Sequence, residues 1–311
     1  MAPPEDAAGI ELAHYLREGR GKVDRALDRA GSWLAEGLGN LVADKINSAS
    51  AYAVSGGGKR IRPLLCAAAY RACGGQASDD ALFDFAASIE LVHASSLMHD
   101  DLPCMDDAEL RRGTPVPHLV YGERATMLAG AILIPAAVLL AFESSAALEC
   151  GTDGGRKAAI ALARASGAPG MVGGQWLDLM AENRVLSIEE LDDLHRRKTG
   201  ALLAVSPEMG ARAAAASAER IEALHRYGAS LGLAFQIVDD ILDATGDAAT
   251  LGKEPSDAEL GKSTYVSHWG VEAARARARE EAERALAALD GAGLGTPVLS
   301  ALAELVVSRR R

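Results

Sequence analysis

Two runs of carboxylates mark where this chain can do chemistry. The first is Asp100-Asp101-Leu102-Pro103-Cys104-Met105-Asp106-Asp107 and the second is Asp239-Asp240-Ile241-Leu242-Asp243. Each follows apolar sequence with helical spacing, an unusual place for dense negative charge. Crowded carboxylates repel one another, and burial sharpens the conflict. A divalent cation removes it. Hard oxygen ligands suit magnesium, which keeps several waters and shares its shell with substrate phosphates. At about 3.6 residues per turn, Asp239 and Asp243 fall one turn apart on one helix face, with Gln236 one turn earlier. In the first run Pro103 disfavours helical geometry at Leu102 and should interrupt the helix. A bulge there would fold Asp106 back toward Asp100. His93, Ser96 and Asp100 share one stripe. Either run alone also reads as a solvated helix end, since charge runs are usually surface features. Two runs, each behind an apolar helix, move the balance toward metal. Neither has the spacing of a calcium loop.

Cationic islands accompany the carboxylates. Gly57-Gly58-Lys59-Arg60-Ile61-Arg62-Pro63 sets three cations beside a glycine turn. Arg111-Arg112-Gly113 follows the first acidic run, Arg196-Arg197-Lys198-Thr199-Gly200 forms a third island, and Lys253 and Lys262 follow the second acidic run. Arginine suits bidentate phosphate contact and lysine acts as a point charge. Each island alone reads equally as solvated surface. Together with the carboxylates they suggest a diphosphate held by metal on one side and by Lys and Arg on the other. His93 fits either a satisfied core histidine or a ligand-facing role. The Gly-Gly-Gly-Lys run lacks Walker A spacing, and no H-E-x-x-H zinc motif occurs.

The elements that must position these residues are helical. In 311 residues apolar types make up 49%, aromatics only 4%, and Ala and Leu recur throughout; these are helix formers, whereas aromatic and β-branched residues favour strands. Apolar residues recur at spacings of three and four, broken at Gly56–Gly58, Gly74-Gly75, Gly113–Pro117, Gly151–Gly155, Gly167–Gly174, Gly246–Pro255 and Gly291–Pro297. The fold class expected is all-α, a single-domain helical bundle over residues 1–311. Composition excludes wholesale disorder, collagen and a disulfide scaffold. The net charge of −11 and the lack of a long basic run argue against nucleic acid. Cys66, Cys73, Cys104 and Cys150 form no C-x-x-C pair, and the acidic N-terminus has no apolar signal region. The thiols are expected to be reduced and the location cytoplasmic. The 18 uncharged residues from Ala125 to Phe142 reach the length of a membrane span. They include Thr126 and Pro135, lack basic flanking asymmetry, and are expected as a buried core helix with no membrane span.

In this order the motifs resemble those of the short-chain trans-polyprenyl diphosphate synthases, of the farnesyl and geranylgeranyl type. The resemblance runs from about Val54 onward. It rests on Gly57–Pro63, Glu90–His93, Asp100–Asp107 with Arg111-Arg112-Gly113, Gly173-Gly174-Gln175 with Asp178, Lys198–Leu202, and Phe235-Gln236 leading into Asp239–Asp243. It implies an all-α fold around a deep central cavity, a homodimer, and magnesium-dependent condensation of isopentenyl diphosphate with an allylic diphosphate (dimethylallyl, geranyl or farnesyl). By matched position, Asp100, Asp101 and Asp106 would hold Mg2+ on one wall, and Asp239 and Asp243 on the other. Lys59, Arg62, His93 and Arg112 would bind isopentenyl diphosphate. Arg111, Lys198, Thr199, Gln236 and Lys253 would bind the allylic diphosphate. Asp100, Asp106, Arg111, Lys198 and Asp239 would carry the catalytic charge stabilisation.

In this family bulk at four and five residues before the first Asp sets product length. Here those positions are Ser96 and Ser95, both small, and Pro103-Cys104 is inserted as in geranylgeranyl synthases. The expected product is therefore geranylgeranyl diphosphate, with farnesyl diphosphate as the alternative. Two departures stand out. Leu128-Ala129-Gly130-Ala131 replaces the family's Leu-Ala-Gly-Asp, and the loop Lys253–Asp257 is short and poor in glycine. A terpene cyclase would carry an Asn/Ser/Glu-type second metal motif where this chain has Asp239–Asp243. A non-catalytic regulatory subunit would have lost one acidic run or the cations. A plain helical protein with acidic patches would keep no ordered set of motifs.

Overall fold

In a computed structural model, residues 5–38, 44–181, 184–245 and 263–308 are described. The chain forms two compact units. One comprises Ala13–Ala163 and Met209–Ala216, the other Met1–Leu12, Arg164–Glu208 and Ser217–Arg311. They are called here the N-terminal and the C-terminal unit. Among the described residues the secondary structure is helical apart from one two-stranded ribbon, as composition and spacing predict.

The N-terminal unit is built on α1 (Glu5–Leu38), whose first residues belong to the C-terminal unit, α2 (Asp44–Ser55), α3 (Ile61–Ala72) and α4 (Asp79–Asp100), followed by the ribbon β1 (Leu110–Arg111) and β2 (Thr114–Pro115). After these come α5 (Pro117–Tyr121), α6 (Glu123–Ser144) and α7 (Gly151–Ser166). Helix α4 is the structural axis. Its Ser78 cap accepts from the Ala81 N–H at 3.3 Å, and Asp79 and Asp80 occupy the first turn, where the helix dipole favours negative charge. Its interior from Leu82 to Met98 is largely buried. Helix α1 is pinned to α3 by the Tyr15 hydroxyl, which donates to the Leu64 carbonyl at 2.8 Å.

Helix α6 departs from the expectation of a buried helix. One face is buried through Ala129, Leu133, Ala137 and Ala141. The opposite face leaves Met127 48%, Leu128 45%, Leu139 53% and Phe142 41% exposed. The helix is apolar all round, yet its unit supplies a neighbour for only one side. Both α4 and α6 are long and apolar enough to cross a membrane by composition, but α4 is mostly buried within its unit.

The C-terminal unit contains α8 (Met171–Met180), α9 (Ile188–His195), a π-helical turn (Arg196–Gly200) and α10 (Ala201–Ala213), whose last residues belong to the N-terminal unit. It continues with α11 (Ala218–Thr245), α12 (Tyr265–Trp269), α13 (Val271–Gly291) and α14 (Pro297–Ser308). Leu191, Leu194, Leu233, Ile237, Ile241 and Tyr265 form its apolar core. A capping box starts α9, with Ser187 accepting from the Glu190 N–H and Glu190 accepting from the Ser187 N–H.

Of the expected breaks, Gly151–Gly155 is helical instead and opens α7, whereas Gly167–Gly174 is a break at 167–170 only, with Gly173 and Gly174 inside α8. At Gly155 and Gly174 a Cβ would run into Ser145 and into the Lys198 backbone respectively. These glycines serve close packing rather than turning.

Candidate functional site

The sequence-predicted residues gather into two clusters, one in each unit. In the N-terminal unit, α4 ends at Asp100 and the chain turns at Pro103 as predicted. The Asp106 N–H then donates to the Asp100 carbonyl at 2.8 Å, and the Asp107 N–H to that of Leu102 at 3.1 Å. This turn returns Asp106 to the end of the helix. Asp100 is half-buried and Asp106 exposed. Asp101, only 1% exposed, is engaged differently. Both its oxygens accept from the Arg111 guanidinium, from Nε at 2.8 and 2.9 Å and from Nη2 at 2.6 Å. Burial alone would lower the Arg111 pKa, but Asp101, with Asp100 and Asp106 beyond it, holds it above the ordinary value. Arg111 is thus a permanently charged, oriented fork at the rim of the acidic turn.

Arg111 and Arg112 are carried by the ribbon, whose two-residue turn is Arg112-Gly113 with φ of 55° and 79°. Two positive φ values define the turn type whose twist suits a tight hairpin, which explains the glycine after the arginine pair. Arg112 then lies along the glycine turn before α3. Its Nη1 donates to the Gly57 carbonyl, and a Cβ at Gly58 would stand 2.8 Å from that nitrogen. Gly58 has φ +148°, so the turn needs glycine both for its backbone and for the approach of Arg112.

Beside this turn, Lys59 is exposed and Arg62 half-buried on α3. Arg60 behaves otherwise. It is 6% exposed, donates to Glu90 Oε1 at 2.8 Å and to Asp24 Oδ1 at 3.0 Å, and adopts φ 52°. It is the anchor of the island, tying the loop to α4 and α1. Removing one partner of such a buried pair costs about 3–5 kcal/mol. Sequence reading could not separate Arg60 from its neighbours, because the signal lies in Glu90, thirty residues on and itself buried. His93, one turn after Glu90's neighbourhood on α4, is half-buried. Burial, then the charges of Arg62, Arg112, Arg111 and Arg60, hold its pKa well below the usual histidine range. It is a neutral imidazole among guanidinium groups, able to donate one hydrogen bond without adding charge.

Ser95 is fully buried and its hydroxyl donates to the Gly130 carbonyl at 2.8 Å, whereas half-buried Ser96 donates to the His93 carbonyl of its own helix at 2.8 Å.

The C-terminal unit holds the other cluster. Lys198 and Thr199 sit in the π-helical turn, a distortion often found at functional sites. The Lys198 ammonium pairs with Asp178 Oδ2 of α8 at 2.5 Å. The Thr199 hydroxyl donates to Gln236 Oε1 at 3.2 Å, and Gln236 Nε2 donates to Asp240 Oδ1 at 3.2 Å. Asp239 and Asp243 are half-buried on α11, one turn apart, while Asp240 between them is 3% exposed. Asp178 and Asp240 were the residues whose roles spacing did not reveal. A cavity of about 160 Å³ adjoins this cluster, bounded by Lys198, His195, Gln236, Asp240, Ser263 and Thr264. Burial, with Lys198 nearby, pulls the His195 pKa down to about 4, against the opposing charge of Asp178. Arg197, also in the third island, is turned to Asp193 at 2.9 Å on the surface. Lys253, Lys262 and Arg309–Arg311 lie outside the described residues.

The segment Gly228-Ala229-Ser230-Leu231-Gly232 has the spacing of a nucleophile elbow, but it lies inside α11 and not on a strand-to-helix turn. Its glycines admit the neighbouring helix, Gly228 facing Leu203 and Gly232 facing Gly200.

The carboxylates suit magnesium in kind. Among the described residues no group of three or more His, Cys, Asp or Glu forms a closed metal cage. Pairs of carboxylates, Asp100 with Asp106 and Asp239 with Asp243, match an ion that takes one or two protein oxygens and completes its shell with water and phosphate.

The sequence pattern of the polyprenyl synthetase family matches residues 43–292, a range that runs through both units. The chain is 44% identical to a farnesyl diphosphate synthase of Escherichia coli over 82% of its own length and 86% of the relative's. It is 42% identical to a chloroplastic geranylgeranyl pyrophosphate synthase of Arabidopsis thaliana, covering 79% of this chain and 69% of that one. Among solved structures, an FPP/GFPP synthase from Zymomonas mobilis superposes with a TM-score of 0.81 at 32% identity, over 96% of this chain and 99% of that one.

Proposed function

The chain belongs to the polyprenyl synthetase family and is a prenyltransferase, and we propose on that premise that it condenses isopentenyl diphosphate with an allylic diphosphate, forming geranylgeranyl diphosphate. The observation that carries the reading is the acidic turn with its oriented cations: Asp106 folded back on Asp100, and Arg111 fixed by Asp101 beside them. Asp100 and Asp106, and likewise Asp239 and Asp243, are the oxygen pairs that would hold magnesium. When bound, magnesium supplies Lewis-acid neutralisation of the diphosphate leaving group.

The chain's own groups do the rest. Arg111, Lys198 and Lys253 take the allylic diphosphate and balance the charge that grows as its carbon–oxygen bond breaks. Thr199 and Gln236 place oxygen dipoles near the resulting allylic cation. Lys59, Arg62 and Arg112 hold isopentenyl diphosphate as cations, and neutral His93 donates to it. The isopentenyl double bond attacks the cation, a carbon–carbon bond forms, and the proton is lost to the released diphosphate. No side-chain base is required.

Product length rests on small residues at Ser95 and Ser96. The relatives include farnesyl, geranylgeranyl and geranylfarnesyl synthases at similar identity, so similarity does not choose among them. Homodimerisation is supported by the exposed apolar face of α6.

The test is a product assay on the purified chain with magnesium, labelled isopentenyl diphosphate and each of three allylic starters. A twenty-carbon alcohol after dephosphorylation is expected, with activity abolished by chelation and reduced at least about 100-fold by Asp100→Ala or Asp239→Ala. A fifteen-carbon limit would overturn the product and keep the chemistry. No product from any starter with folded protein would favour the regulatory-subunit reading.

A further inference from the structure

Asp240 lies in the middle of the second acidic run, yet its carboxylate is directed into the C-terminal unit. It is 3% exposed. Oδ2 accepts from the Tyr265 backbone N–H at 2.9 Å and Oδ1 accepts from Gln236 Nε2 at 3.2 Å. Tyr265 is itself held, with 0% exposure, its hydroxyl donating to Asp192 Oδ1 at 2.6 Å and its ring packed between His195 and Trp269. The rotamer of Asp240 is therefore set by its surroundings.

A carboxylate can only accept hydrogen bonds, whereas a glutamine amide donates at one end and accepts at the other. Gln236 must turn its NH2 to Asp240, which leaves its oxygen for Thr199. Facing a carbonyl-type oxygen, the Thr199 hydroxyl must give its hydrogen, and the two oxygens lie 3.2 Å apart, within hydrogen-bond reach. Its remaining capacity is two lone pairs. We propose, resting on the prenyltransferase reading above, that Asp240 is a positioning residue that fixes the polarity of the relay Thr199 to Gln236 to Asp240. The oxygen of Thr199 then presents lone pairs, not a proton, to the electron-poor allylic carbon. The acidic run is thereby divided in function: Asp239 and Asp243 are the metal-ligand pair, and Asp240 orients the dipoles beside the reacting carbon.

Asp240→Asn tests this because it inverts the relay. The Asn oxygen stays on the Tyr265 N–H and its NH2 faces Gln236. Gln236 flips, Thr199 becomes the acceptor, and its hydrogen points outward. The expected result is a fall in kcat of about 10- to 100-fold, the usual scale for loss of an orienting partner, with KM for both diphosphates within about threefold. In a Thr199→Val background the same change should cost less than about threefold, because the end of the relay is already gone. Multiplicative effects of Asp240→Asn and Thr199→Val, or recovery of Asp240→Asn at raised magnesium, would overturn the proposal.

A second readout needs neither activity nor a folded variant. The chain has three glutamines, Gln76, Gln175 and Gln236, so selective 15N-glutamine labelling resolves their side-chain amides. In the wild-type protein without substrate the Gln236 amide proton should exchange slowly. Fast exchange would overturn the relay. Slow exchange in a protein that makes no product from any starter would uphold the relay while rejecting the prenyltransferase reading of this chain.

Discussion

Neighbouring side chains of one type hold different positions here, and the difference decides what each does. Ser95 and Ser96 show it most simply. Ser95 fills a fully enclosed position and bonds to Gly130 of α6, while Ser96 is half-buried and bonds only within its own helix. A large side chain at Ser95 must push α6 away, and such overpacking costs about 1–3 kcal/mol. Ser95→Phe is expected to lower the denaturant midpoint, whereas Ser96→Phe should leave the midpoint near native and shift the product from twenty to fifteen carbons. Chromatographic sizing and urea titration read the two effects separately. An unchanged product from Ser96→Phe would place the length determinant elsewhere. From sequence the two serines were equivalent, because size was legible and direction was not. Asp100 and Asp101 differ in the same way, as do Asp239 and Asp240. Successive helical residues point about 100° apart, but which of them faces inward depends on the partner helix. The pairing of Asp101 with Arg111 and of Asp240 with Tyr265 could only be seen once the elements were packed.

At the scale of elements, glycine governs how closely the helices carrying the chemistry approach. A Cβ on Gly174 of α8 would collide with the backbone nitrogen of Lys198 and lie 2.5 Å from its Cα. One on Gly232 of α11 would lie 2.8 Å from the Cα of Gly200. The π-helical turn bearing Lys198 and Thr199 is thus clamped between two glycine surfaces. Gly174→Ala cannot be absorbed by a side-chain rotation, because the obstacle is backbone. It should destabilise the protein by about 1–3 kcal/mol and move Lys198 off Asp178, with kcat down at least about tenfold. Gly31→Ala in α1, where a Cβ meets nothing within 4 Å, should instead stabilise by up to about 1 kcal/mol. Matching urea midpoints for the two variants would show that the clamp is not tight. The helical character of these segments was legible in the spacing of Ala and Leu. The placement of Gly173 and Gly174 inside a helix was not, since a glycine pair marks a turn or a close approach with equal force. The Arg112-Gly113 hairpin also escaped, because two-residue strands carry no alternating pattern.

At the scale of the whole molecule, the unmatched feature is the outer face of α6. Met127, Leu128, Leu139 and Phe142 recur at helical spacing and each is more than two-fifths exposed. Ala131, where the family places an Asp, lies exposed on the same helix, so no carboxylate interrupts the stripe. An apolar face of this kind is stable in water when another surface covers it. The proposed homodimer supplies one, and a symmetric contact would set the same stripe against its copy. A net charge of −11 opposes association at low salt, which makes the apolar contribution decisive. The chain should therefore sediment as a dimer at micromolar concentration, and Leu128→Glu with Leu139→Glu should yield a monomer, since a buried pair of carboxylates at a two-fold axis has no counter-charge. The wild-type melting temperature should rise with protein concentration because association stabilises only the folded state, and that of the double variant should not. A wild-type monomer with a concentration-independent melting temperature would overturn the dimer and leave the stripe to another partner.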